Sequence, residues 1–167
     1  MSKNLIVFMP SIEGGGVEKN LFLVCNFLVK KINNLKVITI SNKYSNKFDK
    51  SIKIVSLKSK MWDRLNRKIK YFLALILLIK QIIKNKPSIV FSFQANIYCI
   101  LVCKIFSVKV IARSNTAPIG WSRNIFKRLI FKLVLNLSNK VLVNSFEFKK
   151  NLKDQLNINA FCIYNPL

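Results

Sequence analysis

The sequence predicts an α/β domain built on a doubly wound, mostly parallel sheet. Three observations carry that expectation. Short apolar runs of strand length alternate with longer segments of helical period. The chain is 167 residues long and 51% hydrophobic, enough for one domain with a proper core. A glycine turn, Gly14 to Gly16, separates the first apolar run from the first helical segment.

Asn4 to Met9 (NLIVFM) is an apolar run ended by Pro10, which reads as a strand buried on both faces. After the glycines, Leu21, Val24, Cys25 and Leu28 recur at helical spacing, so a helix is expected from Val17 to Lys31. Lys36 to Ile40 (KVITI) and Ile52 to Leu57 (IKIVSL) give the second and third strands. A long helix from Trp62 to Lys84 follows, and Lys86-Pro87 stops it because proline disfavours helix in the residue before it. Ser88 to Phe93 (SIVFSF) is the fourth strand, Ala95 to Phe106 a helix and Lys109 to Arg113 (KVIAR) the fifth strand. Ser122 to Leu137 reads as a basic amphipathic helix and Lys140 to Asn144 (KVLVN) as the sixth strand. Ser145 caps a helix to Leu156, and Phe161 to Tyr164 (FCIY) is the last strand. Strands and helices alternating at these lengths require right-handed crossovers, and so a single Rossmann-like layer with helices on both faces.

The charge balance is extreme: 29 Lys and Arg against 6 Asp and Glu, a net charge of +23. Such a surface attracts polyanions. Nucleic acid, anionic lipid and phosphorylated substrates all satisfy it, and a chain rich in Lys, Asn and Ile is also what a compositionally biased genome yields. Histidine is absent, which excludes Ser-His-Asp and Cys-His nucleophilic systems, His-ligated zinc and a His general base. Cys25, Cys99, Cys103 and Cys162 sit in apolar stretches without paired CxxC spacing, and read as reduced core residues with no metal site. Leu5 to Met9 is too short for a signal-peptide core, so a cytoplasmic chain is expected. Tyr71 to Ile79 (YFLALILLI) is bracketed by lysines and falls short of the ~20 residues of a bilayer span, so a buried helix is expected there.

The glycine turn lies where open α/β sheets bind ligands, at the carboxyl end of a strand. Glycines let the backbone approach a ligand, and the N–H groups opening the next helix attract an anion. Glu18 falls in that first turn, either as a helix cap or as a substrate contact. A dinucleotide fingerprint does not fit: VEKN follows the glycines without a further glycine, and the second strand runs into Ser41-Asn42-Lys43 with no carboxylate for a ribose. A P-loop fails because no Gly-Lys-Ser or Gly-Lys-Thr triplet follows.

The opening VFMPSIEGGGVEKNLFLVCNFL resembles the start of family 4 glycosyltransferases of the GT-B fold. KPSIVFSFQANIY is similar to that family's fourth strand and turn, and KVIARSNTAP to its fifth strand with an Arg-containing loop. NLSNKVLVNSFEFKKNL resembles the strand-Ser-helix unit late in the same domain, and IYNPL the lead into the interdomain crossover. The likeness runs in order over residues 1–167. It implies an N-terminal, acceptor-binding domain, with the donor-binding domain and its Glu-x7-Glu element absent from this chain or supplied by another.

On that resemblance Gly14, Gly15 and Gly16, with Glu18, form a loop near the donor's phosphates. Phe93, Gln94 and Asn96 line the acceptor pocket, with Phe93 alternatively in the core. Arg113, Ser114 and Asn115 end the fifth strand on the same edge, and Arg113 either clamps an acceptor phosphate or is a solvated surface residue. Where related enzymes often carry His, this chain has Asn115 or Thr116, and no catalytic residue is assigned. The resemblance implies no metal and no cofactor, a nucleotide-sugar donor bound mainly by the absent domain, and a sugar or lipid-linked glycan acceptor in surface polysaccharide synthesis. Trp62 and the basic residues Arg64, Arg67, Lys68, Lys70 and Lys80, then Arg123, Lys127, Arg128 and Lys132, lie among large apolar residues and suit either an anionic membrane surface at the inner face of the cell membrane or a core stripe with a solvated back. Two other readings stay open: a non-catalytic basic module binding membrane or nucleic acid, though no RNP, KH or zinc-finger pattern is present, and a degenerate truncated remnant.

Overall fold

The computed structural model describes residues 4–57, 62, 65–115 and 125–165. Its strands are β1 (Asn4–Phe8), β2 (Asn34–Ile38), β3 (Lys53–Val55), β4 (Ile89–Ser92), β5 (Lys109–Ser114), β6 (Lys140–Val143) and β7 (Phe161–Cys162). The helices are α1 (Gly16–Leu28), α2 (Arg67–Lys84), α3 (Asn96–Ile105), α4 (Ile125–Asn136) and α5 (Phe146–Leu156). The strands form one seven-stranded sheet in the order β3-β2-β1-β4-β5-β6-β7, and every pair is parallel. This is the doubly wound α/β fold that the sequence predicts. From β1 the chain winds to β2 and β3, then returns across the sheet to β4 and continues the other way. The winding therefore reverses between β1 and β4, where Leu5 stands opposite Ile89 and Phe8 opposite Ser92, and the carboxyl ends of these two strands mark the place for a ligand.

Side chains alternate across a strand, so β1 feeds two cores. Ile6 and Phe8 join Ala74, Leu78 and Ile82 of α2, Cys99, Ile100 and Cys103 of α3, and Leu152 and Leu156 of α5. Leu5, Val7 and Met9 face Leu21 and Cys25 of α1 with Val37, Phe91 and Phe93. Strands buried on both faces need the continuous apolar runs seen here. The cysteines are free; three are buried and Cys162 is half-buried. Burial pushes the Cys25 thiol up to about 12, which leaves it an inert packing group.

Several boundaries differ from the sequence expectation. α2 begins at Arg67, five residues after Trp62, because the Asn66 side chain accepts the Ile69 N–H at 3.0 Å and caps the helix there. Trp62 still packs against the core from ahead of the helix, which explains how an apolar period continues beyond the helix end. Lys70 sits on the inward face of α2, not on its solvated back. Ser145 caps α5 as expected, accepting from Phe148 N–H at 3.1 Å. Arg64, Thr116, Ser122 and Arg123 lie outside the described residues.

Candidate functional site

Beyond β1 the backbone stays tied to the sheet: Met9 N–H donates to Ile38 O, and Ser11 N–H donates to Gln94 Oε1 at 3.2 Å. Ser11 Oγ donates to Glu13 Oε1 at 2.8 Å, and Arg67 Nη2 reaches Glu13 Oε2 at 2.7 Å. The Arg67 hydrogen bond first, then that of Ser11, holds the Glu13 carboxyl below the usual carboxylate range. The turn that follows needs glycine at one position above all. Gly14 has φ +93°, and a Cβ there would stand 2.9 Å from the Tyr44 hydroxyl. At Gly15 a Cβ would meet only the movable end of Glu18, and at Gly16 open space.

Gly15 is the N-cap of α1 without a side-chain cap of its own. Glu18, in the first turn, is buried and points back at the loop, where its Oε1 accepts from Glu13 N–H at 3.4 Å. A carboxylate at this place satisfies free amides and the helix dipole. Glu18 thus closes the glycine turn, and it also forms part of a cleft wall.

The other wall comes from β4 and β5. Phe93 N–H donates to Phe8 O, locking the end of β4 beside β1. Ala95 then takes a left-handed conformation, φ 56°, to turn the chain into α3. Two asparagine amides stitch the two strand ends together: Asn96 Nδ2 donates to Arg113 O at 2.8 Å, and Asn115 Nδ2 donates to Phe93 O at 2.9 Å. Arg113 is only 6% exposed. Its guanidinium lies 5.0 Å from the Phe93 ring centre, donates from Nε to Asn115 Oδ1 at 3.2 Å and from Nη2 to Asn165 Oδ1 at 2.6 Å. The reading of Arg113 as a solvated surface residue therefore does not hold: β5 runs on to Ser114, and Phe93, Asn115 and Asn165 enclose the side chain. Burial lowers its pKa, yet an arginine stays protonated.

These parts border a cleft of about 830 Å³ at the switch point. It joins seven of the site residues singled out in the sequence: Glu18, Phe93, Gln94, Asn96, Arg113, Ser114 and Asn115. Phe93 is both core and wall: it is 1% exposed, packs on Phe91 and lies under the Arg113 guanidinium at the cleft's edge. Gly16 borders a second cleft of about 530 Å³, with Asn20, Asn115, Asn144 and Asn165. Gly14 and Gly15 line neither cleft. Two side-chain oxygens here are buried without a hydrogen-bond partner, Asn96 Oδ1 and Asn144 Oδ1. A buried acceptor left open is costly, about 1–3 kcal/mol, and at a cleft wall it suits a donor from a ligand.

Arg67 and Tyr71 of α2, Tyr98 of α3, and Lys127, Ile130 and Phe131 of α4 complete the wall. In the sequence Arg67 and Lys127 read as part of a basic surface. The i, i+4 spacing of Arg67 and Tyr71 signals a shared helix face, but only the crossing of α2 below the glycine turn places it at the cleft. Among the described residues the only ion pair is Arg67–Glu13, so Arg113 brings a charge held by neutral amides and an aromatic ring. Chemically, the site offers a fixed cation, open amide acceptors and aromatic surface, a set suited to a polar ligand carrying an anionic group.

No protein-family model and no curated protein sequence matches this chain. Solved structures do. The chain is similar to Anabaena Alr3699/HepE in complex with UDP and glucose, with a TM-score of 0.66 at 10% identity over 99% of this chain and 45% of that one. It is similar to the lipopolysaccharide outer core galactosyltransferase WaaB in its apo form, with a TM-score of 0.62 at 14% identity over 99% of this chain and 46% of that one. The UDP-GlcNAc 2-epimerase of Methanocaldococcus jannaschii matches with a TM-score of 0.60 at 15% identity, again over 99% and 46%. The chain spans under half the length of each. At such identities what is shared is the fold: a Rossmann-like parallel sheet of the kind found in GT-B glycosyltransferase structures.

Proposed function

We propose that this chain is the acceptor-binding half of a family 4 glycosyltransferase, moving a sugar from a nucleotide-sugar donor to a glycan or lipid-linked acceptor in surface polysaccharide synthesis. The observation that carries the reading is the cleft at the β1–β4 switch point, where Arg113, Asn96 and Asn115 are held rigidly by one another's backbone and side chains. Arg113 meets an anionic group of the acceptor, and Asn96 Oδ1 accepts from one of its hydroxyls. Tyr71 and Tyr98 give the apolar faces on which a sugar ring or the start of a lipid rests, and Phe93 supports Arg113 from beneath. Glu18 keeps the glycine turn closed beside them, and Gly16, which opens α1, borders the second cleft, on the side from which donor phosphates would approach.

The donor half lies outside this chain, on the same or another polypeptide, and domain closure brings the two ligands together. This chain supplies position and charge; it does not need a histidine base, because a front-face displacement places the acid-base work on the donor and acceptor themselves. The test is a glycan-array screen of the chain with parallel titration of UDP-glucose. We expect binding to a subset of glycans, lost in Arg113→Gln, weak or no binding of UDP-glucose, and no sugar transfer until a donor-binding half is added. Tight UDP-glucose binding without glycan binding, or robust transfer by this chain alone, overturns the assignment. A nucleic-acid module would instead retain DNA or RNA sequence preference at high salt.

A further inference from the structure

At the end of the sheet opposite the switch-point cleft, the amino ends of the parallel strands β2 and β3 meet the last turn of α2. A cleft of about 420 Å³ opens there between Asn34 and Lys36 of β2, Lys53 of β3, and Gln81, Lys84 and Asn85 at the end of α2. Side chains alternate along a strand, so Lys36 shares a face with Ile38, which packs with Ala74, Leu78 and Ile82 of α2. Lys53 stands opposite Lys36 in the pairing, and Val55, two residues on, packs against the same core. Two cations thus lie side by side on the α2 face of the sheet, where like charges repel and a strand covered on both faces ordinarily carries apolar residues.

Lys36 Nζ donates to Gln81 Oε1 at 3.0 Å, which turns it toward the last turn of α2 and Lys84. Burial first, then the charges of Lys53 and Lys84, hold the Lys36 amine below its ordinary range. No acidic residue borders the cleft among the described residues, whose only ion pair is Arg67–Glu13. The carboxyl end of α2 offers about half a negative charge against three positive ones. A lysine on an edge strand deters pairing with other chains, and one in the last turn of a helix answers its dipole. Those reasons cover Lys53 and Lys84. Neither covers Lys36, half-buried on an inner strand.

We propose that this cleft binds a compact, multiply charged oxyanion, a phosphoryl or diphosphoryl group, between Lys36, Lys53 and Lys84. Its charge offsets the repulsion among the three amines, and each amine donates to it a charge-assisted hydrogen bond. Gln81 gives its oxygen to Lys36 and keeps its Nε2 as a donor, and Asn34 and Asn85 bring two more side-chain amides to the wall. Among the described residues no aromatic side chain borders the cleft, so it offers no platform for a stacked base and suits a small phosphate better than a nucleic-acid strand. The site shares no lining residue with the switch-point cleft, and it does not depend on the glycosyltransferase reading.

The test is a heteronuclear magnetic resonance titration of the isotope-labelled full chain with inorganic pyrophosphate, inorganic phosphate and glycerol phosphate. The amide signals of Asn34, Gln81 and Asn85 should move and saturate together. Tighter binding of pyrophosphate supports the proposal with a free ion as ligand, and equal or tighter binding of glycerol phosphate supports it with a phosphate ester. Lys36→Gln with Lys84→Gln should weaken the saturation at least about tenfold. Lys53→Gln, at an exposed edge position where the fold tolerates the change, should weaken it about three- to fivefold. Lys149→Gln with Lys150→Gln removes equal charge from the exposed side of α5, toward the other edge of the sheet, and should change it less than about twofold. Shifts that never saturate, that spread evenly over surface lysines, or that weaken as much in the α5 variant overturn the proposal. So does a single-stranded oligonucleotide that moves these signals where pyrophosphate does not, which would assign the cluster to a nucleic-acid strand.

Discussion

The loop after β1 and the crest where β4 and β5 end face each other across the same cleft, but they are built by different means. The β1 loop is shaped by backbone conformation and by carboxylates. Gly14 takes a positive φ against Tyr44, Glu18 closes the turn, and Glu13 ties it to Arg67 across an exposed ion pair. The crest is shaped by side-chain amides gripping backbone carbonyls around a buried cation, Arg113. A carboxylate loop whose charges are used to hold itself has little left for a ligand. The crest keeps its positive charge and at least one open acceptor, Asn96 Oδ1. Under the proposed function the difference separates a scaffold from a recognition surface, although the glycines are the more conspicuous feature of the sequence.

Substitutions sharpen or break this division. The largest effect is expected at the crest: Phe93→Ala removes a buried ring beneath Arg113 and beside Phe91, and should cost about 3–5 kcal/mol in denaturant unfolding. In the loop, Gly14→Ala should cost about 1–3 kcal/mol from its positive φ and the Tyr44 contact, whereas Gly16→Ala, at the first position of α1 with open space around it, should be neutral or slightly stabilising. Equal costs at the two glycines would remove the argument that Gly14 alone fixes the turn.

The Glu13–Arg67 pair is the smallest term, within about 1 kcal/mol because both partners are about half exposed. Its sign is fixed by the lowered Glu13 pKa: the contribution is present above the ordinary carboxylate pKa and lost as the pH falls through the lowered value. Arg67→Ala should flatten that part of a stability-versus-pH profile, and should leave glycan binding weakened less than Arg113→Gln does.

The order of strands and helices and the parallel sheet were legible in the sequence, and with them the strand ends where the cleft lies, because apolar period and strand-turn-helix alternation are local signals. What was not legible depends on neighbours. Arg113 reads in KVIARSNTAP as the end of a strand, where a solvated side chain is as good a reading as a ligand clamp, and only Phe93 and Asn165, distant in sequence, bury it. Trp62 extends the apolar period of α2, so the sequence alone starts the helix before Asn66, whose side chain caps it. The cleft contacts of Arg67, Tyr71 and Phe131 depend on where whole helices cross the sheet. On α4 nearly every position is apolar or basic, so the sequence could suggest an amphipathic helix without saying which of its apolar residues, Val134 and Leu135, face the core.

The central claim is that the crest, through the fixed charge of Arg113, recognises an anionic group on a sugar-bearing ligand. Calorimetric titration of the chain with sugar 1-phosphates and the matching neutral methyl glycosides tests it most directly, repeated with Arg113→Gln after its fold is checked by circular dichroism. The account predicts a preference for the phosphates of about tenfold or more that vanishes in the variant. The same preference in both proteins would contradict it.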